Sequence, residues 1–422
     1  GLRRLIRDSI GGLTLAARDP AVRMSAADTL VANPDPDSLD AIEAALKKET
    51  DTAVAARLTE ARAAAILFSD RPEAEKDEAI DAIAALGTRN ALSMLTKFEA
   101  SAEGAPKERA QAAMSNVEGS LAMWEVGQNV WYGISLGSVL LLAAIGLAIT
   151  FGVMGVINMA HGEMVMLGAY STFLVQEIIR NSAPGLLDWS LAIALPLAFL
   201  VAGGVGLALE RGIIRFLYGR PLETLLATWG VSLILQQTVR TIFGPTNREV
   251  SNPSWMSGAF ELGQLTITWN RLYIVIFALV VFAVLLWAFN KTSLGLRMRA
   301  VTQNRRMAAA MGIRTPWVDA MTFALGSGIA GMAGVALSQI DNVSPNLGQS
   351  YIIDSFMVVV FGGVGNLWGT LVGALSLGIV NKFLEPYAGA VLGKIIVLVF
   401  IILFIQRRPR GLFALKGRAV ET

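Results

Sequence analysis

The stretch SVLLLAAIGLAITFGV, residues 138–153, runs sixteen positions without a charged side chain, and VINMAHGEMVMLGAY, residues 156–170, carries the apolar character onward. About 20 apolar residues in a helix cross the roughly 30 Å of hydrocarbon in a bilayer, so this region reads as membrane helix. The second stretch interrupts that reading. It holds the only histidine of the chain, His161, with Glu163 two positions on and Asn158 three before it. Ionisable groups in a membrane segment are costly and face the interior of the helix bundle. Two readings stay open: a hydrogen-bonded cluster holding a bend between two helices, or polar groups along a solute path. Glu163 is assigned to the structural cluster, and Asn158 and His161 are kept as path candidates.

Composition supports the bilayer for most of the chain. Of 422 residues, 54% are hydrophobic and only 16% charged, and the mean hydropathy is +0.54, outside the range of soluble globular chains. The average hides two unlike parts. Residues 1–130 carry 15 Lys/Arg against 21 Asp/Glu, and residues 131–422 carry 20 against 12. A net charge of +2 gives no reason to expect a nucleic-acid partner. With no cysteine and one histidine, disulfides, thiolate sites and multi-histidine metal sites are excluded. No serine or cysteine nucleophile pairs with that histidine, so neither a catalytic residue nor a metal site is expected.

The acidic part, residues 1–130, reads as a helical-repeat domain. DPAVRMSAADTL from Asp19 and DTAVAARLTEARAAA from Asp51 align at an offset of 32, each an aspartate followed by apolar positions at helical spacing. Between them Leu39, Ile42 and Leu46 share a face. After them Asp70 is expected to cap a helix with Pro72 in its first turn and Glu73 as capping partner. Six helices stacked in pairs, in the manner of HEAT-like repeats, are expected, serving as a spacer or as a docking surface.

Residues 131–411 read as a polytopic all-α membrane domain. Eight apolar runs are clear, and YIIDSFMVVVFGG from Tyr351 supplies a shorter ninth, giving about nine crossings. Arg211, Arg215 and Arg220 fall in one loop, Lys291, Arg297, Arg299, Arg305, Arg306 and Arg314 in another, and Arg407, Arg408, Arg410, Lys416 and Arg418 around the tail, residues 412–422. The positive-inside rule makes these regions cytoplasmic and places the acidic domain outside. Its export needs a signal sequence, so Gly1 is expected to follow a removed signal peptide or an artificial boundary. Gly365, Gly369 and Gly373, and Ser327 with Gly331, repeat at four residues and are expected to bring helix backbones close. GSGIAG at Gly326 lies inside an apolar run with no preceding strand, and AGAVLGKII lacks the first glycine and the Ser/Thr of a phosphate loop, so no nucleotide site or other cofactor is assigned to this chain.

The loop KTSLGLRMRAVTQNRRMAAAMGIRTPW, residues 291–317, has six basic residues and no acidic one. A central helix with Val301, Asn304, Ala308 and Met311 on one face and Gly312 at its end is expected. It reads as a docking element, against the simpler reading of a positive-inside anchor.

Together GVINMAHGEMVMLGAY, this loop and FGGVGNLWGTLVGA resemble the signature regions of the branched-chain amino acid class of ABC importer permeases, over essentially all of residues 131–411. The acidic N-terminal domain and RPLETLLATWGVSLILQQTVRTIFGP are similar to one subgroup, the urea permeases of the UrtB type. The resemblance implies a permease in a bacterial inner membrane, paired with a second related permease, two cytoplasmic ATPase subunits that bind the ATP, and a periplasmic solute-binding protein. It also implies that Arg297, Arg299, Asn304, Arg305, Arg306, Ala308, Met311 and Gly312 belong to the loop that seats in the ATPase. For a small neutral amide, Asn158, Thr228, Ser232 and Gln236 are hydrogen-bonding candidates on the path. A zwitterionic amino acid would want charge partners for both ends, and the scarcity of buried charge leans towards urea. A passive channel needs the polar path but not the docking loop.

Overall fold

The computed structural model describes residues 14–413; the tail from Ala414, with Lys416 and Arg418, and the start at Gly1 lie outside the described residues. The chain divides into two compact units, Gly1–Gly127 and Gln128–Thr422.

In the first unit, helices α1 (Pro20–Ala32), α2 (Leu39–Leu46), α3 (Thr52–Leu67), α4 (Glu73–Ala85) and α5 (Arg89–Ser101) precede α6 (Ala105–Met154), within which the division of the chain falls. The Asp19 carboxylate accepts from the Ala21 amide, and Asp51 from the Ala53 and Val54 amides, so both repeated aspartates are side-chain caps. The expected cap at Asp70 does not form. Helix α4 starts after Pro72, which stands at the cap position itself and has no side-chain acceptor; its missing N–H costs nothing there. Ile42, Leu58, Ile80, Ile83 and Leu95 fill the core. Arg23 holds Glu49 through Nε at 2.7 Å and Nη2 at 2.8 Å, with the glutamate side chain 3% exposed. That pairing holds the Glu49 carboxyl down at about 2.

The second unit is mostly helical but not all-α. After the last turns of α6 come α7 (His161–Ser182), α8 (Ser190–Gly212), α9 (Pro221–Phe243), α10 (Trp269–Lys291), α11 (Ser293–Gln303), α12 (Arg305–Ala310), α13 (Thr315–Ser338), α14 (Leu347–Gly362) and α15 (Leu367–Arg407). Before α10, strands β1 (Ala259–Leu262) and β2 (Leu265–Thr268) form an antiparallel hairpin, pairing Leu262 with Leu265. Gly263 at φ +68° makes its tight turn.

Among the described residues, five helices are long and apolar enough to cross a membrane: α6, α8 with its flanking turns, α10, α13 and α15. Helix α15 is bent by a non-helical Gly389 just after Pro386. Helices α7 and α9 have the length, at 22 and 23 residues, but not the hydropathy.

Backbone proximity sets the packing. A Cβ at Gly168 of α7 would collide with the Gly331 carbonyl of α13, and one at Gly331 would meet the Ala198 carbonyl of α8 at 2.6 Å. These three helices therefore touch through backbone, as small-residue seams do where lipid supplies no hydrophobic drive to association. Gly369 and Gly373 face Gly362 and Val358 of α14 in the same way. Gly365 departs from the expected ridge: it lies in the turn before α15 at φ +79°, against Gly152 of α6.

Candidate functional site

Helix α6 ends at Met154, and Gly155 at φ +67° turns the chain into a non-helical segment, residues 155–160. The Asn158 side-chain oxygen accepts from the Ala160 amide at 3.0 Å, closing an Asx turn that starts α7. His161, first in α7, donates from Nε2 to the Ala143 carbonyl of α6 at 2.7 Å. That acceptor has no proton to give, so the ring carries its own on Nε2. Glu163 points elsewhere. Its Oε1 accepts from the Ser232 hydroxyl at 2.8 Å and from the Gln236 amide at 2.7 Å. Four residues before Ser232 on α9, the Thr228 hydroxyl accepts from the Met159 amide at 3.1 Å and donates to the Thr224 carbonyl.

The buried face of α9 is thus Thr224, Thr228, Ser232, Gln236 and Val239, a polar stripe at helical spacing. Its other faces expose Leu222, Leu226, Leu233 and Ile234. The structure brings Thr228, Ser232 and Gln236 onto one seam with the 155–160 break and Glu163. Glu163, assigned from sequence to structure alone, is the residue that bonds to two path candidates, whereas His161 turns away from α9 to α6. Asn158 Nδ2, His161 Nδ1 and Glu163 Oε2 are buried without a protein partner, which leaves hydrogen-bonding capacity unspent beside the seam.

The basic loop folds differently from the expected single helix. Asn304 is extended, at φ −154°, and separates α11 from α12, capping α12 by accepting from the Met307 amide at 3.0 Å. The break resets the helical faces. Ala308 is 5% exposed and packs with Met298, Val301 and Val318, while Asn304, Arg297, Arg299 and Arg306 are exposed and Met307 and Met311 protrude at 60% and 77%. The face that Ala308 shares with Val301 is therefore inside the chain, and Met311 is not on it. Gly312, at φ +89°, ends α12 as expected, with the Ile313 amide donating to the Ala308 carbonyl.

Sequence reasoning missed what holds Arg305. Its guanidinium bridges both Asp319 carboxylate oxygens at the start of α13, lies 4.2 Å over the Tyr218 ring, and donates to the Tyr218 hydroxyl at 2.7 Å. That hydroxyl in turn donates to the Met154 carbonyl at 2.9 Å. Burial first, and then the neighbouring Asp319 charge, push the Tyr218 phenol up to about 12, so it keeps its proton at neutral pH. The only sequence signal was Asp319, an acidic residue at the head of an apolar run. Also unforeseen is the ion pair of Lys394 with the buried Asp354, at 3.0 Å.

Comparison with known proteins bears on the membrane unit. Residues 129–405 match the family described as branched-chain amino acid transport system / permease component. The high-affinity branched-chain amino acid transport system permease protein LivH of Salmonella typhimurium is 30% identical over 293 residues, covering 68% of this chain and 94% of that protein. The high-affinity branched-chain amino acid transport system permease protein BraD of Pseudomonas aeruginosa is 27% identical at the same coverage. A probable branched-chain amino acid permease of Methanocaldococcus jannaschii is 26% identical over 301 residues. No solved structure matches significantly. The relatives are transport components rather than enzymes, and with the family matched across the whole apolar unit, the chain belongs to the branched-chain amino acid transport permeases and is a membrane transport subunit.

Proposed function

We propose that the chain is the permease subunit of an ATP-driven importer in a bacterial inner membrane, passing its solute along the seam between α7 and α9. The observation that carries this reading is the coexistence of two features: a buried polar stripe, Thr228, Ser232, Gln236 and Glu163, and a cytoplasmic-type basic loop that projects Met307 and Met311. A passive channel would account for the first only. The second suits docking to a separate ATPase, since no phosphate loop is available in this chain. On this reading the assembly holds a second, related permease, two cytoplasmic ATPase subunits that bind the ATP, and a periplasmic solute-binding protein. Membrane lipid surrounds it. The chain crosses about nine times, counting α7, α9, the short α14 and both halves of the bent α15. The N-terminal unit is then a periplasmic HEAT-like domain and the tail is cytoplasmic, as the positive-inside rule directs.

For the solute, the relatives favour a branched-chain amino acid, because that is the cargo they are named for. One observation favours urea as a second reading. Among the described residues, the buried polar set contains Glu163, Glu210, Asp319 and Asp354 but no lysine or arginine, so the seam offers amide and hydroxyl groups and no cation for an α-carboxylate. Uptake of labelled leucine and labelled urea by the complete complex in proteoliposomes separates the two. ATP-dependent accumulation of neither, with passive flux of either, would sink the importer reading.

A further inference from the structure

We infer that Tyr218, held by Arg305, is the positioning residue that links movement of the docking loop to the hinge at the head of the solute seam. This rests on the importer reading above and deepens it. Arg305 belongs to the same short helix as Met307, yet it points inward, to Asp319 and Tyr218, while the methionine points out. The Tyr218 hydroxyl passes the connection to the Met154 carbonyl, the last residue of α6. From there the chain enters residues 155–160 through Gly155, around which no atom lies within 4 Å of a side chain's first carbon. The far side of this segment hangs from α9 by the Met159 amide on Thr228, and α9 carries Ser232 and Gln236, the clasp on Glu163.

The segment is thus suspended between two side-chain hydrogen bonds, one from the docking side and one from the seam. A glycine with open space at positive φ is where a backbone can swing at low steric cost. Packed helices transmit displacement because they resist deformation, and a short unwound segment between them absorbs it. Removing one hydroxyl should therefore disconnect the seam without disturbing what the loop docks to. The Arg305–Asp319 pair and the ring beneath it need no phenolic oxygen.

The experiment uses the complete complex in proteoliposomes and reads three quantities: retention of the ATPase subunits, ATP hydrolysis, and solute accumulated per ATP. Tyr218→Phe is expected to keep retention and hydrolysis at wild-type levels while accumulation per ATP falls about tenfold, within the range of coupling energies between linked sites. Wild-type accumulation per ATP overturns the inference, and so does loss of the ATPase subunits, which would make Tyr218 part of the docking structure. If the Tyr218→Phe chain does not fold into the membrane, Arg305→Lys tests the same link. A lysine keeps the charge but cannot bridge Asp319 and reach Tyr218 together, so the same fall is expected and an unchanged ratio overturns the inference. Met307→Glu combined with Met311→Glu separates the two levels. If that variant retains the ATPase and pumps normally, the docking reading fails whatever Tyr218→Phe does; if it sheds the ATPase while Tyr218→Phe is normal, only the link is wrong.

Discussion

Glu163→Ala removes one oxygen on which two donors of α9 converge. The Ser232 hydroxyl, at 2.8 Å, and the Gln236 amide, at 2.7 Å, both end on Oε1. Interhelical hydrogen bonds in membranes contribute about 0.6 kcal/mol each on average and up to about 1.7, so losing two removes about 1–3 kcal/mol. The partners do not suffer equally. Ser232 can turn its hydroxyl back to the carbonyl one turn earlier, as Thr228 already does to Thr224, whereas the Gln236 amide stays buried and unpaired, at about 1–3 kcal/mol. The sum is about 2–6 kcal/mol, and α9 has little to offset it, since Val239 is the one apolar residue on its buried face. Glu163→Gln leaves an acceptor oxygen in place and is expected to cost under about 1 kcal/mol. Unfolding of both variants in lipid nanodiscs, followed by heat and by protease access to α9, measures the difference. Uptake by Glu163→Gln then distinguishes roles: a stable variant that transports normally makes Glu163 structural, and a stable one that does not puts it on the path. If Glu163→Ala is as stable as the wild type within about 0.5 kcal/mol, the clasp does not hold α9 to α7 and this account of the seam is refuted.

The glycine seams give a paired test: Gly168→Ala, which meets the Gly331 carbonyl, should destabilise by about 1–3 kcal/mol or more, while Gly204→Ala, with nothing within 4 Å, should change little; equal melting temperatures would contradict backbone contact. In the N-terminal unit, the Glu49 carboxyl is depressed to about 2 by Arg23, so its stabilisation is full above its unfolded value near 4.5 and is lost as pH falls through about 2. Hydrogen exchange of α1 and α2 in the full chain should therefore be faster in Arg23→Met than in the wild type at pH 7, with the gap closing between about pH 4.5 and 2; a gap independent of pH would remove the ion pair as its cause. For orientation, Ser38→Cys should react with an impermeant thiol reagent in intact cells and Thr302→Cys should not, and the reverse pattern would invert the topology.

What could be read from the sequence follows from how local each signal is. The helices of the membrane unit declare themselves because a helix in lipid must be apolar along its own length. Asp19 and Asp51 stand out in the sequence as a repeat and cap their helices in the structure, whereas Asp70, expected as a cap, gives way to Pro72. The hairpin at residues 259–268 does not stand out although Phe260, Leu262, Leu265 and Ile267 alternate around Gly263; four-residue strands carry too little pattern to show between long apolar runs. Asn304 misled for a related reason. Counting helical positions through it put Ala308 and Met311 on one face, but a capping asparagine restarts the count, and Ala308 turned inward. The Arg305, Tyr218 and Met154 connection lay beyond reach, because Tyr218 is 87 residues from Arg305 and 64 from Met154, and only the fold brings them together.

The candidate seam leaves the opposite kind of trace, a failure of the general pattern in two helices that the sequence reading counts among its clear apolar runs. Helices α7 and α9, at 22 and 23 residues, rise about 33 Å at 1.5 Å per residue, enough to span hydrocarbon. They fall outside the apolar set because of the polar residues they bury: His161, Glu163 and Gln176 on α7, of which Glu163 meets α9, and Thr224, Thr228, Ser232 and Gln236 on α9. Polar groups at such depth persist only where they are covered. Here α9 supplies the cover itself, with Leu222, Leu226, Leu233 and Ile234 outward and its hydrogen-bonding face inward. Hydropathy averages the two faces of α9 and loses both, whereas spacing separates them. A deficit in mean hydropathy combined with a strict four-residue polar repeat is therefore the sequence signature of a buried polar seam, and in this chain it points to the same residues that close on Glu163.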